Sequence, residues 1–319
     1  MTPLRVLVTG SSGYLGSQVV AELAVREDMA TVALDVREPA RRLPGVAYEI
    51  SDVRDSENVD AIVARHAPAV VVHLASIVTP AKNSSRAFEY SVDVGGTRNV
   101  LEACVRRAVR RVIVSSSGAA YGYHPDNPAW LTESDPVRGN ESFAYSWHKR
   151  LVEEMLSEYR RQHPALEQII FRIGTILGAT VRNQITDLFE KPILIAVRGS
   201  DSPFVFVHDR DVVGAILRGV NSARTGIFNV AGDGKLGIHE IAARLGKRCL
   251  ELPPGLLGAA LWPLRKLRLT QYGPEQIDFL RYRPVLDNRR LKGEFGYVPK
   301  LSSAEVFELW RTSRQTKTI

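Results

Sequence analysis

The chain has 319 residues, 45% of them hydrophobic and 24% charged, a balance that excludes disordered and fibrous classes. Its length predicts one large domain or two joined ones. The net charge of +7 is spread over helix faces, as in VRRAVRRV (105–112) and EYRRQH (158–163), without the aromatic interleaving of a single-strand platform, so nucleic acid is not an expected partner.

The amino terminus, MTPLRVLVTG, enters a strand pattern at once, without the apolar segment and cleavage site of a signal peptide. No transmembrane segment is expected anywhere in the chain. In LRVLVTGSSGYLGSQVVAELAVRE (4–27), VLV fits a buried parallel strand, and GSQVVAELAV spaces its apolar residues for a helix packed on a sheet. Gly10, Gly13 and Gly16 stand between them. Glycines there allow a tight turn and let backbone approach a pyrophosphate at the helix amino terminus. A flexible turn would carry the same residues; the strand before and the helix after favour the phosphate cradle. ATVALDV (30–36) then ends in Asp35, about 20 residues past the glycines, where an acidic side chain binds adenine ribose hydroxyls. The alternative is an Asp capping a turn. Asp35 would repel a 2′-phosphate, which favours NAD over NADP, while Arg37 close behind blurs the preference.

AVVVHLAS (69–76) reads as a buried strand, residues 89–109 as a long helix, and RRVIVSSSGAAYG (110–122) as a strand opening into a polar loop. Strands separated by helices require a parallel sheet with right-handed crossovers, whose ligands bind at the carboxyl ends of the strands. The loops after residues 10, 35, 74 and 114 should face one crevice, and Ser115, Ser116 and Ser117 fall in it. In FAYSWHKRLVEE (143–154), Tyr145 and Lys149 stand one helical turn apart, at the edge of an apolar stripe formed by Phe143, Trp147, Leu151, Met155 and Tyr159. That spacing alone arises often by chance. HEIAARLGKRC (239–249) and SAEVFELWRTSR (303–314) also read as helices. Two cysteines, Cys104 and Cys249, and seven scattered histidines offer no disulfide framework and no metal site; a reducing cytoplasm is the natural compartment.

TGSSGYLG (9–16), DV (52–53), HLAS (73–76), GGTRNVLEA (95–103), SSSGAAYG (115–122) and Tyr145-x-x-x-Lys149 come in one order. That series resembles the extended short-chain dehydrogenase/reductases, the NAD-dependent epimerase/dehydratase family, and within it the nucleotide-sugar 4-epimerases. The resemblance is strong over about the first 180 residues and looser through FRIGTILG (171–178), FVHDRDVV (206–213), IFNVAG (227–232) and EFGYVP (294–299). It implies an α/β fold: a Rossmann-type doubly wound parallel sheet with a smaller α/β carboxyl-terminal substrate lobe. Residues 1–175 would form the NAD-binding part, with strand returns near 205–207 and 227–231, and 176–319 the substrate lobe. By the same resemblance Gly10, Gly13 and Gly16, with Tyr14 and Leu15, bind the cofactor diphosphate and Asp35 the adenosine ribose. Asp52 and Val53 border the adenine, and Leu74, Ala75 and Ser76 line the nicotinamide half. Ser117, Tyr145 and Lys149 match the catalytic set, Tyr145 and Lys149 also touching cofactor. A homodimer through helices at about 86–108 and 142–162 is implied as well. Two positions depart from the family pattern: Asp93 stands where Asn is frequent, and Gly178-Ala179 where Gly-Pro is.

An ordinary tyrosine ionises near pH 10, so it is a sluggish base at neutrality; an ammonium one turn away, at Lys149, would favour the phenolate. Ser117 would donate a hydrogen bond to the developing oxyanion. Gly118-Ala119, where the sugar-nucleotide 4,6-dehydratases carry Asp-Glu, argue against dehydration. Ser202-Pro203 stand where many epimerases carry an Arg-Asp phosphate clamp. Arg281 and Arg283 are candidate replacements at the substrate, surface charge being the equal alternative. LPPGLLGAALWPLRKLRL (252–269), apolar and then basic, is expected as a helix-loop element of the lobe, a lid over a nonpolar substrate, or a membrane-surface contact. Three readings follow: a nucleotide-sugar epimerase; a dehydrogenase or reductase of a hydrophobic or small hydroxy/keto substrate; and a non-catalytic dinucleotide sensor, against which the intact Ser117, Tyr145 and Lys149 weigh.

Overall fold

The computed structural model describes residues 2–81, 84–257, 259 and 276–315. Seven parallel strands form the central sheet: Leu4–Thr9 (β1), Met29–Asp35 (β2), Val46–Ile50 (β3), Val70–His73 (β4), Arg111–Ser117 (β5), Glu167–Ile173 (β6) and, later in the chain, Gly226–Val230. Their spatial order is β3-β2-β1-β4-β5-β6, with Gly226–Val230 at the far edge beside β6. The order reverses direction between β1 and β4, which opens a crevice beyond their carboxyl ends.

Both sheet faces are covered, so the strands are apolar almost throughout rather than alternating. On one face Val6, Val8, Val70, Val72, Ile113 and Phe171 pack against Tyr14–Ala24 (α1) and a later helix, Asp209–Asn221. On the other, Leu7, Val71, Val112, Val114 and Ile170 pack against Ser56–His66 (α2), Thr97–Arg106 and Ala144–Gln162. A third core joins Leu177, Phe189, Leu194, Phe204, Phe206, Ile241 and Phe307 in the carboxyl-terminal half.

Three local expectations are corrected. The strand near 205–207 does not return to the main sheet. Phe206–His208 pairs with Thr175–Leu177 as a separate two-stranded parallel ribbon, because the edge of β6 is already taken by Gly226–Val230. The stretch 239–249 is not one helix. Ile238–Arg244 ends at Gly246, whose φ of +64° suits the left-handed turn, and Arg248–Leu252 becomes a strand parallel to Ile193–Val197. The long helix expected over 89–109 runs from Arg86 to Arg106 but widens into a π-helical segment, Ser91–Gly96, between Arg86–Tyr90 and Thr97–Arg106. Such bulges frequently occur at functional sites, and this one carries Asp93. Most of 252–269 lies outside the described residues.

Candidate active site

The crevice at the strand ends is a cleft of about 630 Å³. Its floor is the glycine loop after β1. Gly10 has φ +69°, and a Cβ there would lie 2.7 Å from the Ala75 amide nitrogen and 2.8 Å from the Leu74 carbonyl carbon. A Cβ on Gly16 would lie 2.0 Å from the Gly10 carbonyl oxygen. The loop therefore packs against the β4 loop and its own helix at distances that only glycine allows, leaving the α1 amino terminus, capped by Gly13 without a side-chain bond, open to the cleft. This cradle fits a dinucleotide diphosphate. Gly10, Gly13, Tyr14, Leu15 and Gly16 all line it.

Asp35 closes β2 beside that loop, its carboxylate accepting from the amides of Ser12 (2.9 Å) and Arg37 (3.0 Å). Arg37, rather than Asp35, lines the cleft. Leu74 and Ser76 line it and Ala75 does not. Asp52 and Val53 also lie off its wall. The Asp52 carboxylate pairs with Arg54 (2.6 Å), and Val53 is buried under Gly96, where a Cβ would sit 2.5 Å from Val53 Cγ2.

The chemical end is built from β5 and Ala144–Gln162 (α5). Ser117 ends β5, and its Oγ accepts from the Ala119 amide at 3.1 Å. Tyr145 lies in the first turn of α5 and Lys149 one turn on, with Nζ 5.6 Å from the Tyr145 ring centre and donating to the Ser115 carbonyl at 2.9 Å. All three line the cleft. Two fastenings hold α5 against β5. Buried Ser146 donates to the Ala119 carbonyl (2.6 Å) just beyond Ser117. Further along, Glu153 receives the Arg172 guanidinium of β6 at 2.6–3.0 Å together with the Ser116 hydroxyl.

Burial pushes the Tyr145 phenol up to about 12, its contact with Ser117 opposing and the Asp93 charge adding to the rise. Burial also lowers Lys149, while the Asp93 and Glu153 carboxylates oppose that. The expected lowering of Tyr145 by Lys149 is therefore not what the cleft shows. The ammonium is turned to the Ser115 carbonyl, and desolvation of the phenol dominates.

Arg283 also lines the cleft, its guanidinium 4.1 Å from the Phe204 ring centre and 4.4 Å from that of Phe279. Burial pushes it down to about 10, still a cation at neutral pH, and no carboxylate among the described residues pairs with it. Arg281 does not reach the cleft. Its carbonyl accepts from Ser200 Oγ (2.7 Å) and its guanidinium lies 4.7 Å from its neighbour Tyr282's ring centre.

Several wall residues carried no sequence signal: Ile77, Val78 and Thr79 after β4, and Tyr123 and Phe279, whose rings cluster with that of Phe143 at 5.0–5.7 Å. Asp93 and His148, 3% and 1% exposed, meet behind the wall. The sequence marked Asp93 only as a departure from a motif.

The sequence model of the NAD dependent epimerase/dehydratase family matches residues 6–231. The chain belongs to that family. It is 27% identical over 316 residues to a Mycobacterium bovis protein, covering 96% of this chain and 83% of that one. A UDP-glucose 4-epimerase of Yersinia pestis is 32% identical over 186 residues, 55% of this chain and 54% of the relative. Among solved structures, the Thermotoga maritima UDP-glucose 4-epimerase with UDP-glucose superposes with a TM-score of 0.75 at 19% identity, covering 99% and 100% of the two chains. An NAD-bound short-chain dehydrogenase/reductase superfamily protein from Agrobacterium tumefaciens superposes with a TM-score of 0.74 at 21% identity, covering 98% of each. At those identities the structural likeness speaks to the fold. No helix among the described residues is long and apolar enough to cross a membrane.

Proposed function

We propose that the protein is an NAD-dependent enzyme of hydride transfer at a secondary alcohol or ketone carbon, acting on a nucleotide-sugar as an epimerase. The observation that carries this reading is the charge of the cleft. Arg37, Lys149, Arg182 and Arg283 line it, and no Asp or Glu among the described residues does. Four cations on a lining without acids, of which Arg37 also has Asp35 within 3.6 Å behind the wall, suit two diphosphates, one from the cofactor and one from the substrate.

NAD, when bound, accepts and returns the hydride. The chain's own residues bind, orient and move the proton. The glycine loop and the α1 amino terminus receive the diphosphate, with Asp35 at the ribose beside it. Ser117 donates to the substrate oxygen, Tyr145 takes and returns its proton, and Lys149 steadies the phenolate as that charge develops. Arg283, stacked on two phenylalanines, presents a pre-oriented fork to the substrate diphosphate in place of a clamp at Ser202.

A second reading rests on the apolar wall of Ile77, Val78, Phe143, Phe279 and Leu286, which suits a hydrophobic hydroxy or keto substrate. One experiment separates the two. The purified protein is analysed for bound dinucleotide and incubated with UDP-glucose or UDP-galactose. An epimerase interconverts them without net NADH, and Tyr145→Phe lowers turnover by about 10²–10⁴-fold while NAD binding persists. Stoichiometric NADH formation from an uncharged hydroxy substrate, with both UDP-sugars inert, would establish the second reading instead.

A further inference from the structure

Asp93 and His148 are ionisable side chains buried beside the helix that carries the proton-transfer pair. Asp93 projects from the π-helical segment. One carboxylate oxygen accepts from the Ser76 hydroxyl (2.9 Å) and the Ile77 amide (2.8 Å), both in the loop that walls the cleft after β4. The other faces His148 Nδ1 at 3.0 Å. His148 immediately precedes Lys149 on α5, its ring edge-on to Tyr90 with centres 5.7 Å apart, and its Nε2 is buried without a partner.

The donor count assigns the proton. Asp93 Oδ2 can only accept while ionised, so Nδ1 carries the hydrogen. A second proton on Nε2 would leave a buried donor unpaired, so the imidazole is neutral and the couple has one net negative charge. Burial alone would raise the Asp93 carboxyl. His148, the Lys149 charge, the Ile77 amide and Ser76 together hold it below the usual carboxylate range.

The other groups facing the couple are few. His73 on β4 is pushed down to about 3, by burial first and the Lys149 charge second against the Asp93 charge, and is neutral; its hydrogen-bonded link to Asp93 runs through Thr97, whose hydroxyl donates to the Asp93 carbonyl. Tyr90 faces His148, and Tyr145 and Lys149 share its helix. Glu153, the remaining carboxylate acting on Lys149, is bound to Arg172 and so already neutralised. Of the two carboxylates acting on the ammonium, Asp93 is thus the one without an arginine partner, and the stronger in effect.

We propose that Asp93 and His148 form a buried carboxylate–imidazole couple that positions the proton-transfer pair. The couple ties the nicotinamide-side wall at Ser76–Ile77 to the helix bearing Tyr145 and Lys149, and supplies the counter-charge that keeps Lys149 an ammonium in an otherwise desolvating site. The proposal rests on the reading of Tyr145 and Lys149 given above. Asn, the residue frequent at position 93 in the resembling family, would keep the Ser76 and Ile77 bonds through its carbonyl oxygen. It would then aim an NH₂ at His148, forcing the imidazole proton to Nε2. Asp and His therefore belong together here.

The test uses the full chain and two readouts. In ¹⁵N-histidine-labelled protein, nitrogen shifts should report an Nδ1–H tautomer for His148, assigned by its loss in His148→Asn, and an Nε2–H tautomer in Asp93→Asn. NAD⁺ affinity is then titrated from pH 6 to 10 by tryptophan fluorescence. Removing the charge in Asp93→Asn should move the alkaline midpoint of binding down by about one pH unit, a tenfold change in the ammonium-to-amine ratio at a given pH. His148→Asn keeps the charge and should weaken binding without moving the midpoint. A merely structural role would weaken binding equally at all pH values. An unchanged midpoint in Asp93→Asn, or a His148 proton that stays on Nδ1 there, overturns the proposal. Failure of the proton-transfer reading shows separately, as a Tyr145→Phe protein with undiminished turnover.

Discussion

Glu153→Ala is the perturbation whose size the structure sets most directly. The carboxylate is 5% exposed and Arg172 is 4% exposed, with three contacts between them at 2.6–3.0 Å. The guanidinium also donates to the Glu133 carbonyl (3.2 Å) and lies 4.6 Å over the Tyr121 ring. Removing the carboxylate leaves a buried cation with only neutral partners and strands the Ser116 hydroxyl. Breaking one side of a buried pair costs about 3–5 kcal/mol. With an unfolding entropy of about 2.1 cal/mol/K per residue, a chain of 319 residues loses roughly 0.7 kcal/mol per degree, so Tm should fall by about 4–7 °C. Differential scanning calorimetry measures this directly. Because two desolvated charges repay little more than their own burial, Glu153→Leu with Arg172→Met should lie closer to wild type than either single change. Single variants that melt within a degree of wild type, or a double variant that simply adds their losses, would refute the account of α5 as fastened by this pair.

Two other outcomes follow from the same geometry. Arg283→Met should raise KM for a UDP-sugar by about 10- to 100-fold with kcat nearly held, since a charge-assisted bond to the diphosphate is worth about 1.5–3 kcal/mol; Arg281→Met, off the cleft, should leave KM within about twofold in the same steady-state assay. His73 is depressed by burial from 6.5 to about 3, so the unfolded chain binds a proton below pH 6.5 that the native state refuses. Its contribution to stability is complete above pH 6.5 and is lost as pH falls toward 3, at about 1.4 kcal/mol per unit. Urea unfolding of wild type and His73→Gln at pH 7.5 and 5 should differ by about 2 kcal/mol in their pH response.

The parts of this molecule that were legible from its residues share a physical reason. Gly10, Gly13 and Gly16 are dictated by backbone clearance, and β1, β4 and β5 by burial on both faces. Tyr145 and Lys149 are legible through one helical turn and Ser117 through its place in the motif. Local spacing carries all of these. The strand Arg248–Leu252 was hidden because its identity depends on pairing with Ile193–Val197, far away in the chain. Phe206–His208 failed to join the sheet for a similarly non-local reason, the prior claim of Gly226–Val230 on that edge. Asp93 and His148 are 55 residues apart, and no periodicity pairs them. The aromatic wall was hidden too, since Tyr123, Phe143 and Phe279 meet only when three separate segments close over the cleft.

Charge shows the same division between local and assembled information. Along the chain the basic residues look like solvated surface, and most are: Arg42, Arg65, Arg106 and Arg289 sit in exposed ion pairs, which contribute little to stability. Folding brings four cations from four segments to one cleft whose described lining holds no acid. Lys149 is buried and Arg283 half-buried there without carboxylates in direct contact, at a desolvation cost that hydrophobic substitutes would avoid. A cost of that kind persists where a ligand repays it. On the proposed reading the cofactor's diphosphate would lie at the glycine loop, whereas Arg283 stands away from it, among Phe204, Phe279 and Tyr123. On that reading a second anion would meet Arg283 at that end of the cleft, where a neutral hydrophobic substrate would leave its guanidinium without an ionic partner.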